Sequence, residues 1–168
     1  MRKTTKMWLV AGAFLVLLGC MIFIGVLAVS DLDFTKLSTV KYETNEYNFG
    51  EEFSNISVDT NTADIIFEVS NDGKCRVECY EESKAKLSVT VKQDTLFINI
   101  TNEKAWYDYI GISFGSPKIR VYLPKAEYSM LSVKGSTGYV DVPKGLKFDS
   151  ADVKLSTGGV RFFASASD

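Results

Sequence analysis

The residue pattern predicts an all-β domain, a β-solenoid of about 20-residue coils, preceded by one transmembrane helix. Three observations carry this. Met7 to Val29 is a 23-residue stretch without a charge. Beyond it, apolar residues recur at every second position with no helical period. A strand–corner–strand unit then repeats: Leu131-Ser132-Val133-Lys134-Gly135-Ser136-Thr137-Gly138-Tyr139-Val140-Asp141-Val142 returns 20 residues later as Ala151 to Phe162.

The first element is the apolar run. About 20 helical residues span a bilayer core, so residues 7–29 are long enough to cross. Arg2, Lys3 and Lys6 make a basic tail, residues 1–6, and Asp31 and Asp33 follow the far end. Basic residues stay on the cytoplasmic side, which places the N-terminus inside and the rest outside the cell membrane. Trp8 falls at interface depth, where an amphipathic ring is favoured, and completes the anchor. Two other readings share these residues. Ala28-x-Ser30 has the small-x-small form of a signal-peptide cleavage site, although signal-peptide cores are shorter. Leu17-Leu18-Gly19-Cys20 has the form of a lipidation site, but the run stays apolar after Cys20.

Residues 30–52 read as a polar, aromatic stalk, and residues 53–168 as the β domain. Its strands are Ile56–Asp59, Ile65–Val69, Cys75–Tyr80, Leu87–Val91, Leu96–Ile100 and Ile119–Leu123, with turn chemistry at Asn71-Asp72-Gly73 and Gln93-Asp94. A more distant copy of the repeat begins at Ile56, 75 residues before Leu131, with Asn61-Thr62-Ala63 in place of Ser-Thr-Gly. Coils that cannot bury their apolar face alone must stack, which brings Thr residues at the corners into a ladder. An antiparallel sandwich is the competing architecture, since period-two runs fit it equally. The chain stops one strand after the last Ser-Thr-Gly corner, so the solenoid reads as truncated there or covered by something else.

Composition removes most chemistry. The sequence has no histidine, which excludes Ser-His-Asp, Cys-His and His-bearing zinc sites. Without Arg2, Lys3 and Lys6 the external part has 16 basic and 21 acidic residues, a net −5, so no nucleic-acid partner is expected. Cys75 and Cys79 alternate with Val77 on one strand face, about 13 Å apart, too far to bridge; they read as buried thiols. Asp59, Asp64, Asp141, Asp149 and Asp152 lie near successive corners. Paired carboxylates suffice for glycan cleavage, but Asp is common in turns for backbone reasons, and no calcium-loop pattern is present. No catalytic residue, cofactor or metal is expected. Trp106, Tyr107, Tyr109 and Phe114 form the densest aromatic stretch and are the candidate interaction surface; the competing reading is a flap that covers the solenoid.

The order Ile119-Arg120-Val121-Tyr122-Leu123-Pro124, then Leu131 to Val142 with its Ser-Thr-Gly corner, then the 20-residue echo, resembles a bacterial putative-adhesin family of unknown function, itself similar to head domains of autotransporter adhesins. The resemblance covers Phe53 to Phe163. It implies a β-solenoid outside the cytoplasmic membrane, often of a Gram-positive bacterium, and no enzymatic activity. Relatives commonly carry more coils. Two roles follow: an adhesin-like module that binds a surface glycan or protein, or an envelope-stress accessory that acts on a membrane partner.

Overall fold

The structure is a computed structural model that describes residues 3–31, 38–102, 113 and 115–166. The N-terminal helix and the strands belong to two separate compact units.

Helix α1 (Lys3–Val29) contains a 26-residue apolar stretch, Thr4–Val29, within which an 18-residue window reaches a mean hydropathy of 2.7. At about 1.5 Å per residue it is longer than the hydrocarbon core is thick. Trp8, Leu15, Ile22 and Ile24 are all exposed, so the apolar surface runs around the whole helix. A helix apolar on every side needs lipid or a protein core around it. Membrane anchors and signal sequences share this length and composition.

The second unit contains ten strands: β1 (Tyr42–Phe49), β2 (Asn55–Thr62), β3 (Asp64–Val69), β4 (Cys75–Glu82), β5 (Ala85–Lys92), β6 (Thr95–Asn102), β7 (Lys118–Leu123), β8 (Glu127–Val142), β9 (Lys147–Phe162) and β10 (Ser165–Ala166). Each apolar alternation read from the sequence lies within one of them. The repeat is also the register. Ile56 lies beside Leu131 and Leu131 beside Ala151, while Thr62, Thr137 and Thr157 line up across β2, β8 and β9.

The architecture corrects the expected solenoid. Seven strands close into a barrel-like sheet in the order β8-β2-β6-β5-β4-β7-β3 and back to β8. Closure depends on the length of β8, whose first half pairs with β2 and whose second half pairs with β3. The repeat occupies only three segments. Between them, β4 pairs antiparallel with β5 and β7, and β5 pairs antiparallel with β6. Antiparallel neighbours cannot be successive coils of one winding, because each coil must advance in the same sense. Period-two alternation has no direction, so the sequence concealed which strands reverse.

Residues 30–52, read from the sequence as a stalk, contain a strand. Within them, β1 pairs antiparallel with β4 along all eight of its residues, and Tyr47 and Phe49 pack on the core. Its inward face also holds Asn45, and that polar position breaks the alternation.

The core fills the barrel with Ile56, Val58, Ile65, Phe67, Leu96, Ile98, Ile119, Val121, Leu131 and Val133, each at most 1% exposed. The corner between the two halves of β8 requires glycine. Gly138 has φ 147°, and Gly158, directly beside it in register, has φ 133°. A Cβ on Gly138 would collide with the Ala63 carbonyl, and one on Gly158 with the Gly138 carbonyl. Ser-Thr-Gly is therefore a close-packed backbone corner stacked from strand to strand.

Candidate functional site

The outer face of β1, β4 and β7 carries charged, hydroxyl and aromatic side chains side by side. Alternation in Arg76-Val77-Glu78-Cys79-Tyr80 sends Val77 and Cys79 inward and leaves Arg76, Glu78 and Tyr80 outside. Lys118, Arg120 and Tyr122 alternate in the same way with Ile119, Val121 and Leu123. Register then sets Thr44 beside Tyr80 and Tyr80 beside Lys118, with Glu78 beside Arg120 and Arg76 beside Tyr122.

A cavity of about 330 Å³ opens here, lined by Thr44, Glu78, Tyr80, Ser116, Lys118 and Arg120. Glu78 organises one side. Its carboxylate lies 3.5 Å from Arg76 Nε and 3.9 Å from Arg120 Nη1, and accepts a 3.3 Å hydrogen bond from the Tyr122 hydroxyl. Arg76 Nε is buried without hydrogen-bond geometry to any acceptor, so its attraction to Glu78 is Coulombic only. The Arg76 guanidinium lies 4.2 Å from the Tyr122 ring centroid, a cation–π distance. Lys118 has no ion pair among the described residues. Asp64, its register neighbour on β3, accepts instead from the Tyr139 N–H. The lining thus has two cations and one carboxylate.

Tyr80 supplies an aromatic wall. It is 41% exposed and stacks on Tyr42 at 5.1 Å between centroids. The Tyr42 hydroxyl donates to the Gly115 carbonyl at 3.0 Å. A side chain at 115 would press a Cβ within 2.5 Å of the Tyr42 ring, so glycine lets the chain cross this aromatic pair before Ser116 reaches the cavity. An exposed ring face beside guanidinium, ammonium and hydroxyl groups suits a polar ring-shaped ligand with a negative charge.

A second cavity, of about 620 Å³, opens at one end of the barrel over Phe53, Cys75 and Tyr128, with Glu51, Glu52, Asp94 and Glu127 around it. Two of these acids are already engaged. Asp94 accepts from Ser54 N and Asn55 Nδ2, and Glu127 pairs with Lys147 at 3.0 Å.

The residues singled out from sequence fall differently. Trp106, Tyr107, Tyr109 and Phe114 lie outside the described residues, as does Arg2. Trp8, Lys3 and Lys6 belong to α1. The corner acids are not aligned as a catalytic row. Asp141 holds Arg161 through two oxygens at 3.2 and 3.0 Å, Asp152 holds Lys154 at 2.6 Å, and Asp64 is bound to the backbone. Among the described residues no three His, Cys, Asp or Glu side chains stand close enough to share a metal. Sequence reasoning passed over Glu78, Tyr80, Lys118 and Arg120. Their outward positions were legible in the alternation, but the strand pairing that assembles them was not.

Cys75 and Cys79 are free, buried thiols, as their alternation with Val77 predicts. Burial pushes both thiols up to about 12, with the Glu81 charge adding to the effect at Cys79. Neither is expected to react with a water-soluble thiol reagent at pH 8 until the domain unfolds, while exposed Cys20 reacts wherever detergent admits the reagent. The linkage has a definite sign. Above the ordinary thiol value near 9.0, unfolded chains lose these protons and folded chains keep them, so stability falls from there toward about 12. Unfolding followed across that range should show a shallower loss in Cys75→Val/Cys79→Val.

The Toastrack DUF4097 family matches residues 53–163. The chain belongs to this family. Among solved structures, this Toastrack chain is similar to a putative adhesin from Bacteroides fragilis NCTC 9343, with TM-score 0.46, 23% identity, and 75% of this chain and 60% of that one covered. A putative adhesin from Parabacteroides distasonis ATCC 8503 gives TM-score 0.40, 14% identity, and 72% and 56% coverage. A putative lipid binding protein from the same organism gives 0.40, 15%, 77% and 63%. The Toastrack chain therefore spans less than two-thirds of each of those three chains. No curated protein matches it.

Proposed function

We propose that this Toastrack protein is held in the cell membrane by α1, displays its strand domain outside, and acts by binding an acidic glycan in the cavity between β1, β4 and β7. The cavity carries the proposal. About 330 Å³ admits one or two sugar rings. Tyr80 offers a flat apolar face to a sugar ring, Arg120 and Lys118 meet a carboxylate, and Thr44, Ser116 and Glu78 face ring hydroxyls. The basic residues Lys3 and Lys6 at the start of α1 support an inside N-terminus.

One experiment on protoplasts tests placement and binding together. The chain carries a C-terminal tag, and the probe is a labelled uronic-acid oligosaccharide. The tag is expected to be lost on external protease treatment, and the probe to be retained on untreated cells. Arg120→Ala and Lys118→Ala should each weaken retention about tenfold or more, since hydrogen bonds to charged groups are worth about 1.5–3 kcal/mol, and Tyr80→Ala should weaken it by removing the apolar face under the sugar ring. Equal retention of a neutral oligosaccharide would sink the acidic-glycan reading. A protease-protected tag would sink the surface placement, and a tag released whole into the medium would show cleavage after α1.

A further inference from the structure

We propose that the cavity at the end of the barrel binds a small organic cation, an ammonium group carried on an aromatic body. This cavity lies over Phe53, Cys75 and Tyr128, encloses about 620 Å³ and shares no residue with the cavity between β1, β4 and β7. Small-molecule pockets are roughly 300–1,000 Å³, and barrel mouths are among their usual places. Four connections between strands build its walls, at residues 50–54, 73–74, 94 and 124–126. Backbone bonds tie these together. Ser54 N and Asn55 N both donate to the Asp94 carbonyl, at 3.2 and 3.0 Å, and Ser129 N donates to the Ser54 carbonyl at 2.8 Å. Walls fixed in advance reduce the ordering cost of binding.

The floor selects the body of the ligand. Phe53 and Tyr128 stand 6.1 Å apart between ring centroids, with Phe49, Pro124 and Ala126 also lining the space. Phe49 and Phe53 are only half-buried, which leaves ring surface for a ligand. The Tyr128 hydroxyl is spent on the Pro124 carbonyl at 3.1 Å. Cys75 is 4% exposed, and its free thiol has no hydrogen-bond partner among the described residues. A floor of rings and one weakly polar sulfur gives a sugar few hydrogen bonds for the water it loses. It suits an aromatic ring, which buries apolar area there.

The rim selects the head. Glu51, Glu52, Asp94 and Glu127 line the cavity against one cation, Lys74. Glu127 is offset by Lys147. Asp94 is held by neutral donors, Ser54 N and Asn55 Nδ2. Glu51 and Glu52 are exposed, with no ion-pair partner among the described residues. Carboxylates above ring faces hold an ammonium group in two ways, by charge and by cation–π contact.

The test uses the full chain in phosphatidylcholine nanodiscs, with empty nanodiscs as the blank. The probes are phenethylammonium and its neutral analogue 2-phenylethanol, and binding is followed by ligand-observed NMR titration. Phenethylammonium should bind saturably, and 2-phenylethanol about tenfold more weakly or worse, because it lacks both the charge contact and the cation–π contact. Glu51→Gln/Glu52→Gln changes only exposed side chains and should weaken phenethylammonium about fivefold, the scale of an exposed ion pair. Ala126→Trp, which adds a ring at the exposed lining, should abolish binding of both probes. No saturable binding, equal affinity for the neutral analogue, or unchanged affinity in either variant would each overturn the proposal.

Discussion

Gly138→Ala is expected to destabilise the strand domain by about 3 kcal/mol or more, read as a shift of the urea or thermal unfolding midpoint followed by circular dichroism. Two penalties coincide. The backbone sits at φ 147°, where an L-residue is strained by about 1–3 kcal/mol. The added Cβ also strikes the Ala63 carbonyl, which is backbone and cannot rotate aside. The corner is where the barrel closes. Here β8 leaves β2 and meets β3, and Ala63 N donates to Thr137 O at 3.2 Å. Relieving the clash therefore opens a seam of the sheet. Gly73→Ala separates the two penalties, because Gly73 also has positive φ, 72°, but open space around its Cβ position. It should cost only about 1–2 kcal/mol. Equal losses at the two sites would show that the stacked corner adds nothing beyond backbone strain.

The contrast between these glycines also marks what the sequence discloses. The repeat placed Gly138 and Gly158 in equivalent positions, and the 20- and 75-residue offsets are the observed registers of β8 with β9 and of β2 with β8. Those offsets were legible because side-chain identity repeats wherever parallel strands stack. Closure of the barrel was not legible. It depends on β4 and β5 reversing direction, and Cys75–Tyr80 alternates identically whichever way it runs. The candidate site shares that fate. Each strand announces its outward Arg, Glu and Tyr residues, but Thr44 joins Tyr80 and Lys118 only through the β1–β4–β7 pairing. The long apolar helix needed no partner to be recognised, since its signal is local length and apolarity.

Glu81→Leu is expected to cost about 1–3 kcal/mol, despite placing an apolar side chain among apolar neighbours. Glu81 is 1% exposed and continues the inward face of Cys75, Val77 and Cys79. Its carboxylate accepts from the Leu87 N–H and, at 2.7 Å, from Asn45 Nδ2. Leucine fills the space but orphans the buried Leu87 N–H, and leaves the part-buried Asn45 Nδ2 with only Glu43 Oε1 at 3.0 Å; a buried donor left unpaired costs about 1–3 kcal/mol. Glu81→Gln keeps the volume and an oxygen that accepts from the Leu87 N–H, so its loss should be smaller than that of Glu81→Leu. Tyr47 provides a second readout. Its phenol, which donates to Leu87 O at 3.2 Å, is raised above the ordinary value first by burial and then by the Glu81 charge. In Glu81→Gln the second cause disappears while the first remains, so Tyr47 should titrate at lower pH than in the parent chain, monitored by tyrosinate absorbance. If Glu81→Leu proved as stable as Glu81→Gln, the Asn45–Glu81–Leu87 contacts would contribute no more than an apolar filling, and β1 would owe its place to its pairing with β4 and to Tyr42, Tyr47 and Phe49.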